Sequence, residues 1–303
     1  MFALVADGAA ADVRAEAQLR GAPSRVLGLP PHLLRPAAVP EPVVGAGSAP
    51  RGAEAGENAA SNPGTPQPSA AADTATAASA CNICGHREFG PGPGGRRAVG
   101  GEAWPRCTRC QSLERHRAFR QAFLDIGEAE LAGRNPALQF SADPAVPREW
   151  FAGLEVSQYG GDNSLDLMQI DRADGAYQLV ICNHVLEHVP DDRSALQELG
   201  RITAAEGLVF LSFPDPLRRE TTVDWGYADE SRHGHYRHYG RDVYALLREA
   251  LPEMHILNAV GTDPATGCAE MYFLLTRQAQ RARHWLQALP SAQRIHEPAL
   301  SEA

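Results

Sequence analysis

The chain has 303 residues, a net charge of −9 and no lysine among its 28 basic residues. Without lysine, neither a lysine Schiff base nor a nucleotide-binding P-loop can form, because both need that side chain. The acidic balance also argues against a general electrostatic attraction to nucleic acid.

The N-terminal quarter of the chain differs in composition from the rest. Residues 1–80 are dominated by alanine, proline, glycine and serine, and Phe2 is their only phenylalanine, tyrosine or tryptophan. Such a segment buries too little apolar surface to offset its ordering entropy, so 1–80 is predicted to be a disordered low-complexity segment. Within 1–39, a short docking segment at Val26–Leu34 is the alternative. The remaining residues suffice for one α/β core and a small appendage.

The sequence suggests a location as well. Met1–Asp12 carries acidic residues and lacks both a basic leader and a long apolar run, so we expect no secretory signal. No apolar stretch approaches the length of a membrane span. We therefore expect a cytoplasmic protein without a membrane partner, whose oligomeric state the sequence does not indicate.

Four cysteines form two CxxC pairs, Cys81–Cys84 and Cys107–Cys110. Two such pairs supply the closed set of four thiolates that a structural zinc ion takes, and no position is left open for catalysis. Free or redox-active thiols are the alternative. We predict a zinc knuckle over 81–111, followed by a helix that Ser112 caps.

A buried strand followed by polar residues lies near the middle of the chain. Leu179–Cys182 is an apolar run typical of a strand buried on both faces of a parallel sheet. Asn183 and His184 follow directly, at the carboxyl end of the strand, where open α/β sheets bind their ligands. Pro190 and the two following aspartates then favour the start of a helix.

Two segments resemble a known family. Gln178–Asp192 resembles the strand-four region of class I S-adenosylmethionine (SAM) methyltransferases of type 11, which reads D-x-[IV]-x-x-x-x-V-L-E-H-V-x-D. Cys81–Arg117 is similar to a zinc-knuckle prefix on a subset of them, where C-x-x-C-x-S-L-E-R-H-R leads into the SAM domain. The alternative for the first segment is an ordinary strand–loop–helix of any α/β protein.

The resemblance implies a fold and two cofactors. The fold is α/β, a Rossmann-like SAM methyltransferase sheet with a closing antiparallel hairpin, preceded by the zinc knuckle. The cofactors are S-adenosyl-L-methionine and structural zinc. We expect the methyltransferase domain over 112–280 and a C-terminal helix and tail over 281–303.

The first strand of that sheet is predicted at Ala137–Phe140. The usual acidic-x-Gly-x-Gly loop is absent after it, and Ser141 and Asp143 occupy the corresponding loop. Relatives with the knuckle also replace these glycines, which implies that Asp143 contacts the methionine ammonium group. An ordinary Asp-Pro turn is the alternative.

Other residues are implied to bind the cofactor. The second strand, Leu154–Gln158, precedes Gly161 and Asp162, and an acid here can accept both ribose hydroxyls. Asp166 is the competing candidate for this role. The remaining candidates are Asp171 beside adenine, after a third strand at Leu165–Gln169, and Asn183 and His184 at strand four.

The later elements follow the same pattern. Their expected ranges are a helix at Ser194–Ile202, a fifth strand at Leu208–Phe213, a helix at Asp242–Ala250, and a hairpin of His255–Val260 with Glu270–Thr276.

The loop predicted at Glu220–Asp242 is rich in histidine, tyrosine and arginine. Relatives carry D-H-x-R-x-Y-G-R-D here, and this chain departs from the pattern only at Gly234. The matching positions are His235, Arg237, Tyr239, Gly240, Arg241 and Asp242. A packing loop is one alternative, and a metal site of His233, His235 and His238 is another.

His235 and His184 are the candidate catalytic residues, because an imidazole with a near-neutral pKa can take a proton from an acceptor. His188 is expected to orient the loop with Glu187. The function predicted is methyl transfer to a small molecule or sugar-type intermediate. A silent zinc-tethered interaction protein is the alternative, as is an RNA or protein methyltransferase, which the arginines near the knuckle keep open.

Overall fold

The computed structural model describes residues 79–298. The predicted disorder of 1–80 and the docking segment at Val26–Leu34 therefore lie outside the described residues, apart from residues 79 and 80. Within the described range, no helix is both long and apolar enough to cross a membrane.

The structure is a mixed α/β fold, as predicted. Its strands are β1 (Phe89–Gly90), β2 (Arg106–Cys107), β3 (Ala137–Phe140), β4 (Leu154–Ser157), β5 (Tyr177–Asn183), β6 (Thr203–Ser212), β7 (Val223–Asp229), β8 (His235–His238), β9 (His255–Thr262), β10 (Ala269–Thr276) and β11 (Gln293–His296). Its α-helices are α1 (Glu114–Ile126), α2 (Glu128–Leu131), α3 (Asp192–Ile202), α4 (Val243–Ala250) and α5 (Ala279–Ala288).

Seven of the strands form the central sheet, in the order β11-β9-β10-β6-β5-β3-β4. Strands β4, β3, β5 and β6 run parallel, and β10 enters antiparallel between β6 and β9. The predicted closing hairpin is present, since β9 and β10 pair along their whole length. The parallel strands therefore end at one edge, where the loops after β3, β5 and β6 meet.

Alternating side chains of β5 and β6 build two cores, one on each face of the sheet. Val180 and Val209 belong to the core that includes residues of α3 and α4. Leu179 and Phe210 belong to the core that includes residues of α1 and α5. Burial on both faces explains why β5 is apolar throughout its centre.

The predicted third strand at Leu165–Gln169 was wrong. The segment makes only an isolated bridge between Asp166 and Gln169. The backbone of Ile170, which follows it, is held by side chains of α3 instead, with the amide donating to Glu198 and the carbonyl accepting from Arg201. These bonds replace strand pairing, so β4 is the edge strand.

Two further predictions need correction. The predicted loop at Glu220–Asp242 contains an antiparallel hairpin, in which β7 pairs with β8. The predicted C-terminal tail contains β11, which pairs with β9. The strands β7, β8 and β11 are short and rich in polar residues, so they lack the apolar alternation that identifies a strand in sequence.

Candidate functional site

A chain of hydrogen bonds joins the last residues of β6 and β5 to the loop after β3, at the carboxyl edge of the sheet. The Ser212 hydroxyl donates to Asn183 Oδ1 at 3.0 Å, and Asn183 Nδ2 donates to Asp143 Oδ2 at 3.1 Å. The backbone amide of Ala145 donates to Asp143 Oδ1 at 2.7 Å. Asp143 and Asn183, both predicted from sequence, are therefore brought together. Ser212 was not predicted, because nothing distinguishes it within an apolar strand.

Two residues at this edge have left-handed backbone conformations. Ser141 follows β3 with φ 60°, and His184 follows β5 with φ 51°. Residues other than glycine adopt this region rarely, and such strain concentrates at binding and catalytic sites. The Ser141 amide donates to Ser157 O, and its carbonyl accepts from Gln139. Ser141 thus adopts a conformation that glycine favours, in a loop where the usual glycines are absent.

The residues predicted to bind ribose and adenine, which follow β4, are not part of this chain of hydrogen bonds. Asp162 and Asp171 are both exposed. The carboxylate of the competing Asp166 accepts from the Met168 amide. Gln158, which sequence reasoning missed, connects the loops instead by accepting from the Ala142 amide at 3.3 Å. The roles of Gly161, Asp162 and Asp171 remain predictions.

A second cluster lies beside the first. His184 Nδ1 is 3.2 Å from Glu187 Oε1, and the rings of His188 and His235 are 4.6 Å apart between centroids. Glu187, His188 and His235 are buried, and one potential ligand atom of each lies within 4.8 Å of the others. The structure thus brings together His184 and His235, the two predicted catalytic residues, around Glu187.

The metal set considered from sequence was a different one. His233 is exposed, with its ring centroid 6.2 Å from that of His235, and the ring centroid of the half-buried His238 is 5.5 Å from that of His235. Of His233, His235 and His238, only His235 belongs to the cluster. The correct grouping required knowing that β8 packs against the segment Leu186–His188, which no local pattern indicates.

Burial sets the charges in this cluster. Burial raises the pKa of Glu187, but the hydrogen bond with His184 and the nearby imidazoles outweigh this effect and lower the pKa to about 2. Burial lowers the pKa of His235 to about 4, against the opposing effect of the Glu187 charge. Burial also lowers the pKa of His188. At neutral pH the cluster is a carboxylate beside two neutral imidazoles.

The β7–β8 hairpin is fastened over this cluster by Arg237. The buried guanidinium donates to the carbonyls of Val189 and Pro190 at 2.6 and 2.8 Å, and to Asp224 at 2.7 Å. The His188 ring meets the carbonyl of Gly234 at 3.3 Å. The hairpin therefore covers the segment that follows β5 and positions His235 there.

The four cysteines predicted to bind metal converge on one point. Sulfur atoms of Cys81 and Cys110 are 3.7 Å apart, those of Cys84 and Cys107 are 3.6 Å apart, and all four are unbridged. A tetrahedral zinc ion with bonds of about 2.3 Å holds its sulfurs about 3.8 Å apart, whereas a disulfide measures about 2.05 Å. The donor set and spacing fit zinc.

The two knuckles share one backbone geometry. Gly85 has φ 76° and donates to Cys81 O, while Gln111 has φ 63° and donates to Cys107 O. The Ser112 hydroxyl lies 3.1 Å from the Cys110 sulfur. The prediction that Ser112 caps the helix was therefore wrong. His116 caps it instead, with its Nδ1 accepting from the Leu113 amide at 3.1 Å.

Arg117 joins the knuckle to the sheet. It is fully buried, and it donates to both oxygens of the buried Asp263 at 2.9 and 2.7 Å and to Ser112 O at 2.8 Å. The arginines near the knuckle were the reason for considering an RNA or protein acceptor, and several of them make similar local contacts. These contacts are Arg96 with Glu114, Arg97 over the Trp104 ring, and Arg120 with Glu149.

The strand order, the closing hairpin and the polar carboxyl edge define a Rossmann-like methyltransferase fold. Residues 88–251, more than half of the chain, match the model of a family described as a methyltransferase domain. The chain belongs to this family. The search of curated proteins found no match.

The solved structures similar to this chain include three methyltransferases. A SAM-dependent methyltransferase from Thermotoga maritima is 13% identical, with TM-score 0.34, over 54% of this chain and 91% of that one. The Burkholderia thailandensis 1,6-didemethyltoxoflavin-N1-methyltransferase was solved with bound 1,6-didemethyltoxoflavin and S-adenosylhomocysteine. It is 15% identical, with TM-score 0.33, over 54% of this chain and 78% of that one. An N-methyltransferase from Bradyrhizobium japonicum, in complex with S-adenosylhomocysteine, is 11% identical, with TM-score 0.32, over 54% and 86%.

Proposed function

We propose that this protein transfers a methyl group from S-adenosylmethionine to a small molecule or sugar-type intermediate. The observation that carries the proposal is the hydrogen-bonded chain Ser212–Asn183–Asp143 at the carboxyl edge, in a chain of the methyltransferase family. This edge is where open α/β sheets bind their ligands. Membership of the type 11 subset with a zinc knuckle is part of the same proposal.

The residues at this edge fit the cofactor. Asp143 presents a carboxylate that can accept from an ammonium group, and Ser141, with its left-handed backbone conformation, lies in the same loop. Asn183 and His184 border the same place, while Gly161 with Asp162 and Asp171 are proposed for ribose and adenine. S-adenosylmethionine supplies, when bound, a methyl group on a positively charged sulfur.

The protein's own contribution is to position the acceptor and exclude water. Methyl transfer needs the reacting atoms held near attack distance in a dry site, and the hairpin that Arg237 fastens to the segment after β5 is proposed to exclude water there. His184 and His235 are proposed on the acceptor side. His235 Nδ1 is buried without a hydrogen-bond partner among the described residues, so its lone pair is available to a proton or a cation.

The cysteine quartet is proposed to hold structural zinc. Cys81, Cys84, Cys107 and Cys110 supply four sulfurs at the spacing that zinc requires, which leaves no coordination position open for chemistry. The ion would fix the two knuckles from which α1 starts. Reduced thiols of this kind favour a cytoplasmic location.

The first prediction tests cofactor binding. Asp143→Asn removes the charge but can still accept from the Ala145 amide, so we expect S-adenosylmethionine to bind at least tenfold more weakly than to wild type. Isothermal titration of both proteins measures this. Asp125→Asn, an exposed change in α1 beside Gln121, is the matched control and should bind as wild type does.

Two outcomes of that titration would change the proposal. If wild type does not bind at micromolar concentrations, the silent interaction protein becomes the better account. If Asp143→Asn binds as well as wild type, the first loop is an ordinary Asp-Pro turn and the cofactor contacts lie elsewhere.

A further inference from the structure

Glu187 is a buried carboxylate without a strong cationic partner. Its side chain is 1% exposed, and within residues 79–298 its only ion-pair partner is the His184 imidazole. Among the described residues no arginine forms an ion pair with it, although arginines pair with many other carboxylates there. A buried charge is costly unless an opposite charge compensates it. The site therefore favours a cation close to Glu187.

The surrounding donor atoms are oriented for such a cation. Glu187 Oε1 meets His184, while Glu187 Oε2 is buried with no hydrogen-bond partner in the described part of the chain. The buried Nδ1 of His235 likewise lacks one. These two atoms belong to side chains that are more than nine-tenths buried, and both can act as metal ligands.

His188 has the arrangement that metal-binding histidines adopt. Its Nδ1 lies 3.3 Å from the backbone carbonyl of Gly234, a distance suited to a ring N–H donating to that oxygen. Such a bond fixes the ring and leaves the lone pair on Nε2, as is common for histidines that bind metals. The hairpin that carries His235 thus also orients His188.

We propose that Glu187, His188 and His235 bind one divalent metal ion, at a site separate from the cysteine quartet. One potential ligand atom from each lies within 4.8 Å of the others. Two imidazoles and a carboxylate favour zinc or another first-row transition ion over magnesium or calcium, which prefer all-oxygen sites. Three protein ligands leave a coordination position open, as in catalytic zinc sites.

The place of this site in the fold indicates what the open position takes. His184 contacts Glu187, and the preceding residue, Asn183, contacts Asp143 at the proposed cofactor edge. The proposed metal site is therefore adjacent, through His184 and Asn183, to the proposed cofactor edge. Resting on the proposed function, this identifies the acceptor group as a hydroxyl oxygen, which a metal ion binds and makes more acidic. His235 then acts as a ligand, and the hydroxyl proton passes to His184, the other proposed catalytic residue, as the oxygen takes the methyl group from the sulfonium.

Zinc counting tests the site. Wild type, Glu187→Gln and His235→Gln are dialysed against excess Zn²⁺, desalted and measured by elemental analysis. We expect each variant to hold one zinc fewer per chain than wild type, two falling to one if the cysteine quartet is filled. His255→Gln, a change at a buried histidine of β9, is the matched control and should keep the wild-type count.

Each outcome of the count has one meaning. Equal zinc in wild type, Glu187→Gln and His235→Gln overturns the site, whatever the total. A fall from one zinc to none supports the site, and it shows that the cysteine quartet does not hold zinc in the wild-type protein. Melting curves establish that the variants are folded, and Ala substitution of His188 gives a further variant if one of them is not. S-adenosylmethionine titration of Glu187→Gln separates failure of this site from failure of the proposed cofactor site.

Discussion

At the scale of single residues, Arg117 and Asp263 are charged side chains that form a buried ion pair. Both side chains are 0% exposed, and the Asp263 carboxylate accepts hydrogen bonds from Arg117 and, within its own turn, from the Ala265 amide and the Thr266 hydroxyl. The pair joins the segment after the knuckle to the turn between β9 and β10. Its loss should therefore be costly.

We expect Asp263→Asn to lower the free energy of unfolding by about 3–5 kcal/mol, because it leaves the buried Arg117 charge uncompensated. Urea denaturation followed by circular dichroism measures the change. The matched control is Arg193→Gln, which breaks an exposed pair with Glu249 and should cost less than about 1 kcal/mol. Similar losses in the two variants would show that the Arg117–Asp263 pair has no special role.

At the scale of elements, the β7–β8 hairpin connects packing with chemistry. It is polar, and its place over the segment after β5 depends on Arg237, and on Tyr239, whose hydroxyl donates to Asp192 at 2.9 Å. Gly240 fits here because a side chain at its position would collide with the Thr221 backbone, at 2.4 Å from the Thr221 carbonyl carbon. These contacts therefore fix the position of the hairpin on the segment after β5.

Arg237→Met tests what the hairpin contributes. The variant loses the bonds to the Val189 and Pro190 carbonyls, so the hairpin should loosen over the acceptor side. We expect methyl transfer to fall at least tenfold while S-adenosylmethionine affinity stays within a few-fold, measured by single-turnover transfer and calorimetric titration. Arg232→Gln, on the same hairpin and paired with Asp229, should retain transfer. If Arg237→Met transferred methyl groups as fast as wild type, the hairpin would have only a packing role.

At the scale of the whole molecule, the sequence predicts the parallel strands well and the polar elements poorly. Leu179–Cys182 is recognisable because burial on both faces demands a continuous apolar run. The segment Leu165–Gln169 was wrongly predicted as a strand because its apolar residue Leu167 is buried without strand pairing. Strand β11 was missed because its pairing with β9 is a backbone interaction that its polar side chains do not reveal.

In the candidate site, too, some residues could be predicted from the sequence and others could not. Asp143 and Asn183 were predictable because residues that follow parallel strands meet at one edge, and the cysteine quartet was predictable from its spacing. The Glu187–His188–His235 cluster was not, because it depends on how a hairpin distant in sequence packs on the segment after β5. Contacts of that kind are set by tertiary structure alone.

The central claim is methyl transfer to a small molecule, and it can be tested with wild-type protein. The zinc-loaded protein is incubated with S-adenosylmethionine labelled in its methyl group and with fractionated cell extract. We predict that label enters a small-molecule fraction and that Asp143→Asn, used as the comparison, transfers far less. Label found only in RNA or protein would contradict the proposed acceptor, and no label in any fraction, with cofactor binding intact, would contradict the assignment as a methyltransferase enzyme.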